Sequence, residues 1–86
     1  MGRYKIVFRH PVARDLRAIP KQHLRRILAT INALSEEPRP AGMEKLSGQE
    51  KCRVRQGNYR IIYEIRDDEV VVIVVKVGHL KDVYRR

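Results

Sequence analysis

The stretch Lys51-Cys52-Arg53-Val54-Arg55-Gln56-Gly57-Asn58-Tyr59-Arg60-Ile61-Ile62-Tyr63-Glu64-Ile65 decides the fold. It alternates with the strand period of two on both sides of a Gly-Asn pair, a hairpin signature. Gly57 at the first central position suits a two-residue type II′ turn, because that position needs φ > 0 and glycine takes it without a Cβ clash. A turn closed on Gly57-Asn58 sets Gln56 opposite Tyr59, Arg55 opposite Arg60 and Arg53 opposite Ile62. The arginines then share one face, and Cys52, Val54, Tyr59, Ile61, Tyr63 and Ile65 share the other. Like charges directly opposite on a sheet destabilise it. A chain that keeps Arg55 against Arg60 is therefore predicted to place an anion between them.

Around this hairpin the chain is short and basic. Its 86 residues make one domain, spanning 1–86, and 43% hydrophobic residues suffice for one modest core. The formal net charge of +9 predicts a polyanionic partner, most often nucleic acid, or an acidic protein that masks the charge. Cys52 is the only cysteine, which excludes an internal disulfide and a cysteine metal cluster and fits a reducing, cytoplasmic setting. No apolar signal segment opens the sequence, and the longest apolar run, Val70 to Val75, is too short to span a bilayer.

On the N-terminal side, Tyr4 to Phe8 reads as a strand with Tyr4, Ile6 and Phe8 on one face. Pro11 opens a short helix carrying Val12, Leu16 and Ile19, and Pro20 ends it and starts the next. Leu24, Ile27, Leu28, Ile31 and Leu34 form an i, i+3, i+4, i+7 stripe, the mark of an amphipathic helix. Arg14, Arg17, Lys21, Arg25 and Arg26 lie off that stripe, on a solvated face. Residues 35–42 are a loop by composition, Met43 to Leu46 a short extended approach, and Ser47-Gly48 a turn. Val70 to Val77 is apolar on both faces and reads as a central strand covered on both sides. The whole predicts an α+β fold, β-α-α-β-β-β, with two N-terminal helices packed on one face of a small twisted antiparallel sheet.

The register of the last strand decides where His79 points. A two-residue loop at Asp67-Asp68 pairs Arg60 with Val75 and sends Val75, Val77 and His79 to the arginine face. A three-residue loop through Glu69 flips those faces.

At these residues the chain resembles the RelE/ParE toxin superfamily, and more closely its RelE-type branch. The likeness rests on the element order, on Leu46-Ser47-Gly48, on Cys52 to Tyr63, and on Val77-Gly78-His79 followed by Asp82-Val83-Tyr84-Arg85. The combination of Gly-x-Tyr-Arg-(apolar)2-Tyr with the Gly-His…Val-Tyr-Arg tail is what makes it specific. The resemblance implies a toxin of a type II toxin–antitoxin pair that cleaves messenger RNA in the ribosomal A site and is neutralised by a small RelB-like antitoxin. It implies no metal and no cofactor.

Cleavage of this kind uses the 2′-OH beside the scissile phosphate as nucleophile. The protein orients the phosphate, stabilises its developing charge and moves protons. Arg60 matches the arginine of the family motif and is assigned to transition-state stabilisation, its fork suiting bidentate phosphate contact. The competing structural reading is an ion pair with Glu64. Arg55 and Arg53 stand where the family carries lysines. An arginine stays protonated, so these two clamp rather than act as bases.

Proton transfer therefore passes to His79, whose intrinsic pKa lies near neutrality. Tyr84 matches the family's C-terminal tyrosine, which stacks on a base, and Lys51, Lys81 and Arg85 are assigned to RNA binding. Leu80 occupies a position that the family often fills with a basic residue, which weakens the cationic site. The basic helix face could serve ribosomal RNA or the antitoxin. Glu44 is a further possible base by analogy, on a loose alignment. Tyr59, Tyr63 and Cys52 are core residues by their face, and His10 and His23 have no ligand-spaced partner. Two alternatives stand beside the nuclease: a ParE-type DNA gyrase inhibitor, and a non-catalytic basic nucleic-acid-binding module.

Overall fold

The fold is that of a computed structural model, which describes residues 3–46 and 50–83. The predicted Ser47-Gly48 turn and the tail residues Tyr84 and Arg85 lie outside the described residues. The chain runs β1 (Lys5–Phe8), α1 (Val12–Arg17), α2 (Lys21–Ala33), β2 (Glu44–Lys45), β3 (Lys51–Gln56), β4 (Tyr59–Arg66), β5 (Val71–His79) and α3 (Leu80–Val83).

The prolines set the helix starts. Pro20 is extended (φ −56°, ψ 143°) and its carbonyl accepts from the N–H groups of His23 and Leu24, so α2 begins directly after it. Pro11 already has helical dihedrals, and its carbonyl accepts from Asp15. Both helices lay their apolar residues on the same sheet face. Val12, Ile19, Ile27, Ile31 and Leu34 meet Cys52, Val54, Ile61, Tyr63, Val72, Val74 and Val77 in one buried cluster. Leu28 departs from the predicted stripe and is 41% exposed. Successive residues are about 100° apart on a helix, so Leu28, next to Ile27, sits at the margin of the buried face.

The sheet has five strands in the order β1-β5-β4-β3-β2. It is mixed, because β1 pairs parallel with β5 while the other neighbours are antiparallel. Tyr4, Ile6 and Phe8 share a face as predicted, and Tyr4 and Ile6 pack on the core. The β3–β4 hairpin has the predicted register throughout: Gln56 pairs with Tyr59, Arg55 with Arg60 and Arg53 with Ile62. Gly57 has φ +61° while Asn58 is not among the positive-φ residues, the sign pattern of a type II′ turn. β5 is central, but helices cover only one of its faces, and Val71, Ile73 and Val75 on the other side are half-buried.

The predicted β4–β5 register fails in two steps. Four residues, 67–70, separate the strands, so Arg66 pairs with Val71; this slides β5 by two residues and preserves its faces. A bulge then intervenes, since Tyr63 pairs with Val74 but Ile62 with Lys76. One extra residue reverses the alternation beyond it. Val77 therefore enters the core opposite Ile61, and His79 pairs with Tyr59 on the helix side instead of joining Arg60. Asp15 of α1 secures the far side of the bulge, its Oδ2 accepting from the Val77 N–H at 3.3 Å and its Oδ1 lying 3.9 Å from Lys76 Nζ.

The long loop after α2 is tied to the sheet. The Tyr63 hydroxyl donates to the Pro38 carbonyl at 2.8 Å, and Ser35 Oγ donates to the Tyr4 carbonyl at 2.8 Å. Arg39 and Tyr4 both donate to Asp67. These bonds bring β2 alongside β3, setting Glu44 opposite Arg53.

Candidate functional site: an arginine concavity on the open sheet face

The helix-free face of β2, β3 and β4 holds a concavity of about 240 Å³ lined by Gly42, Glu44, Arg53, Arg55 and Arg60. Three guanidinium groups meet one carboxylate there. Arg53 donates to Glu44 directly across the β2–β3 pair, which fixes both side chains. Arg60 turns back towards the hairpin end, its Nη1 donating to the carbonyls of Tyr59 at 3.1 Å and Gly57 at 3.3 Å. Among the described residues it pairs with no carboxylate, so the Glu64 ion pair weighed against a functional role is absent. Arg55 stands exposed opposite Arg60 without a hydrogen-bond or ion-pair partner among the described residues.

The electrostatics follow from that crowding. Partial burial, and then the charges of Arg55 and Arg53, push the Arg60 pKa below the ordinary arginine value. The direction means that holding this charge costs free energy, which an anion would return. Across the sheet Gly78 is the partner of Arg60. A residue without a side chain leaves the end of the arginine face open.

The other predicted site residues are dispersed. Lys51 is on the arginine face but its Nζ lies 3.9 Å from Glu64, a buried carboxylate that also takes Arg66 at 3.0 Å and Arg9 at 3.5 Å. Lys51 is thus part of a structural ion cluster beside the concavity. His79 stands on the helix side, its ring 5.6 Å from that of Tyr59 in an edge-on contact. Its Nδ1 accepts from the Lys81 backbone N–H at 3.3 Å, which leaves the proton of a neutral ring on Nε2. Lys81 is exposed on α3. Glu44 is the residue that sequence reasoning set aside. Its pairing with Arg53 depends on where the 35–42 loop delivers β2, and no local pattern announces that.

A family model described as ParE toxin of type II toxin-antitoxin system, parDE, matches residues 6–84. Toxin RelG of Mycobacterium tuberculosis (strain ATCC 25618 / H37Rv) is 32% identical over 87 residues, covering 96% of this chain and 98% of that protein. Among solved structures, the RelBE2 toxin–antitoxin complex of Mycobacterium tuberculosis superposes with a TM-score of 0.82 at 28% identity, over 92% of this chain and 93% of that one. The archaeal RelE–RelB complex of Pyrococcus horikoshii OT3 gives 0.79 at 30% identity, over 88% and 93%. No helix among the described residues is long and apolar enough to cross a membrane.

Proposed function

This chain belongs to the RelE/ParE superfamily of type II toxin–antitoxin toxins, and from that premise we propose that it is a metal-independent endoribonuclease acting on messenger RNA in the ribosomal A site. The observation that carries the reading is the Arg55–Arg60 pair, two opposed arginines without a carboxylate between them at the centre of the concavity. A scissile phosphate seated there relieves their repulsion and receives charge-assisted hydrogen bonds from both.

In this reading the 2′ oxygen attacks phosphorus, the bond to the 5′ oxygen breaks, and a 2′,3′-cyclic phosphate and a 5′-hydroxyl result. Arg60 and Arg55 stabilise the charge that builds on the phosphate and on the departing 5′ oxygen until solvent water protonates that oxygen. Neither can accept the 2′ proton. Among the described residues Glu44 presents the only carboxylate lining the concavity, with Arg53 holding its orientation, and it takes the role of base. His79, placed behind the sheet, contacts RNA without exchanging these protons. Lys51, Lys81 and Arg85 contribute backbone contacts, and Tyr84 stacks on a base. The partner that keeps the enzyme silent is a RelB-like antitoxin, a reading supported by the likeness to a toxin bound in a RelE–RelB complex, and the setting is the cytoplasm.

Toeprinting on programmed ribosomes tests this. Cleavage at the A-site codon is expected with the wild type, reduced about 10²- to 10³-fold in Arg60→Ala and about 10²- to 10⁴-fold in Glu44→Gln. Intact messenger together with blocked gyrase supercoiling overturns the reading.

A further inference from the structure

We propose that a second concavity, on the helix side of the same hairpin, is a base-binding subsite for the nucleotide next to the scissile phosphate. This rests on the nuclease reading above. The concavity measures about 260 Å³ and is lined by His23 and Arg26 of α2, by Gln56, Tyr59 and His79 at the ends of three strands, and by the Gly57-Asn58 turn. That is below the roughly 300–1,000 Å³ of pockets that bury a drug-sized ligand, which suits one nucleobase.

Its chemistry is that of single-strand recognition. The Tyr59 ring lies between two imidazoles, 5.5 Å from His23 and 5.6 Å from His79, so three half-buried rings border one hollow. Rings of this kind are the usual platform for an unstacked base. The Thr30 hydroxyl lies 2.8 Å from the Gln56 side-chain amide and 3.0 Å from the Arg26 carbonyl, which holds that amide at the border of the hollow. An amide held beside stacking rings can read a base edge. The Arg26 side chain is exposed and pairs with no carboxylate among the described residues, so it is available to a neighbouring phosphate.

The two concavities meet at the turn. Gly57 lines the helix-side one, and its carbonyl accepts from Nη1 of Arg60, which lines the arginine one. An RNA strand with its phosphate on Arg55 and Arg60 therefore has only the edge of a two-residue turn to round before its next base reaches the rings. This gives His79 a role consistent with the face it occupies.

The test is an NMR titration of the full chain with a trinucleotide made non-cleavable by a 2′-deoxy sugar at the attacking position, and with the same molecule abasic at each flanking position in turn. The intact trinucleotide is expected to move the guanidinium signals of Arg55 and Arg60 together with the ring signals of His23, Tyr59 and His79. One abasic substitution should abolish the ring shifts and weaken binding about 5- to 100-fold. His23→Ala should weaken the intact ligand similarly and make it indifferent to that abasic change. Arg26→Gln should lower the salt dependence by about one ion. Ring signals that stay still while the arginine signals move would overturn the subsite and leave the phosphate clamp standing. Signals that move in neither place would overturn the clamp, and the subsite with it. Ring shifts seen only with an antitoxin protein would mark a protein-docking surface and likewise overturn the proposal.

Discussion

Replacing Arg55 by threonine should stabilise the fold while abolishing the proposed cleavage of RNA. Arg55 and Arg60 are directly opposite, one pair in from the turn. The pair that closes a two-residue hairpin exchanges hydrogen bonds, so Arg55–Arg60 is a non-hydrogen-bonded pair, the spacing at which side chains come closest. Two unit charges about 6 Å apart repel by about 0.7 kcal/mol in water. Arg55 is solvent-exposed, so the water value applies. It also lies within the ~0.2–1 kcal/mol span of cross-strand pairs. Arg55 is the cleaner site to change because Arg60 also donates to two backbone carbonyls.

A gain of about 0.5–1 kcal/mol corresponds to a rise in Tm of roughly 2–8 °C for a domain this small. Thermal unfolding followed by circular dichroism in low salt should show it. The gain should shrink in 1 M sodium chloride, where the Debye length is only about 3 Å. Inorganic phosphate should stabilise the wild type more than chloride at equal ionic strength, and should lose that advantage in Arg55→Thr. If the variant melts lower than the wild type in low salt and phosphate treats both proteins alike, the arginine pair is not a frustrated anion site and the reasoning fails.

Three other predictions concern what holds the site in place. Tyr63→Phe removes a buried donor to the Pro38 carbonyl and should cost about 1–3 kcal/mol in urea unfolding. Burial pushes the Tyr63 phenol well above its ordinary pKa of 10.0, so its contribution is complete below about pH 10 and falls away as pH climbs further; the phenylalanine variant should show a correspondingly shallower alkaline loss. Val70 is a β-branched residue at φ +55° in the β4–β5 loop, and Val70→Gly should raise stability by up to about 1 kcal/mol, whereas an unchanged midpoint would mean that the loop carries no strain there. Asp15→Ala removes the acceptor at the β5 bulge and should cost about 1–2 kcal/mol, with faster amide exchange at Val77 as the local sign.

Most of the fold is legible in the sequence because its signals are local. The hairpin register follows from a glycine that tolerates φ > 0 and from a strict two-residue alternation. The second helix follows from a 3.6-residue stripe, and the arginine face follows from the hairpin itself. Arg53, Arg55 and Arg60 thus meet as predicted. What the sequence could not decide is set by contacts between segments far apart in the chain. The parallel β1–β5 pair links the two ends of the molecule, and the 35–42 loop, anchored through Tyr63 and Asp67, carries Glu44 to Arg53. The β5 bulge, held by a carboxylate on α1, moves His79 from the arginine face to the rings behind it. Alternation along a strand is a property of the local chain, whereas an inserted residue is favourable only when a distant group satisfies the backbone it frees. The clustering of the three arginines was therefore readable from the sequence alone, and the position of the histidine belongs to the tertiary structure.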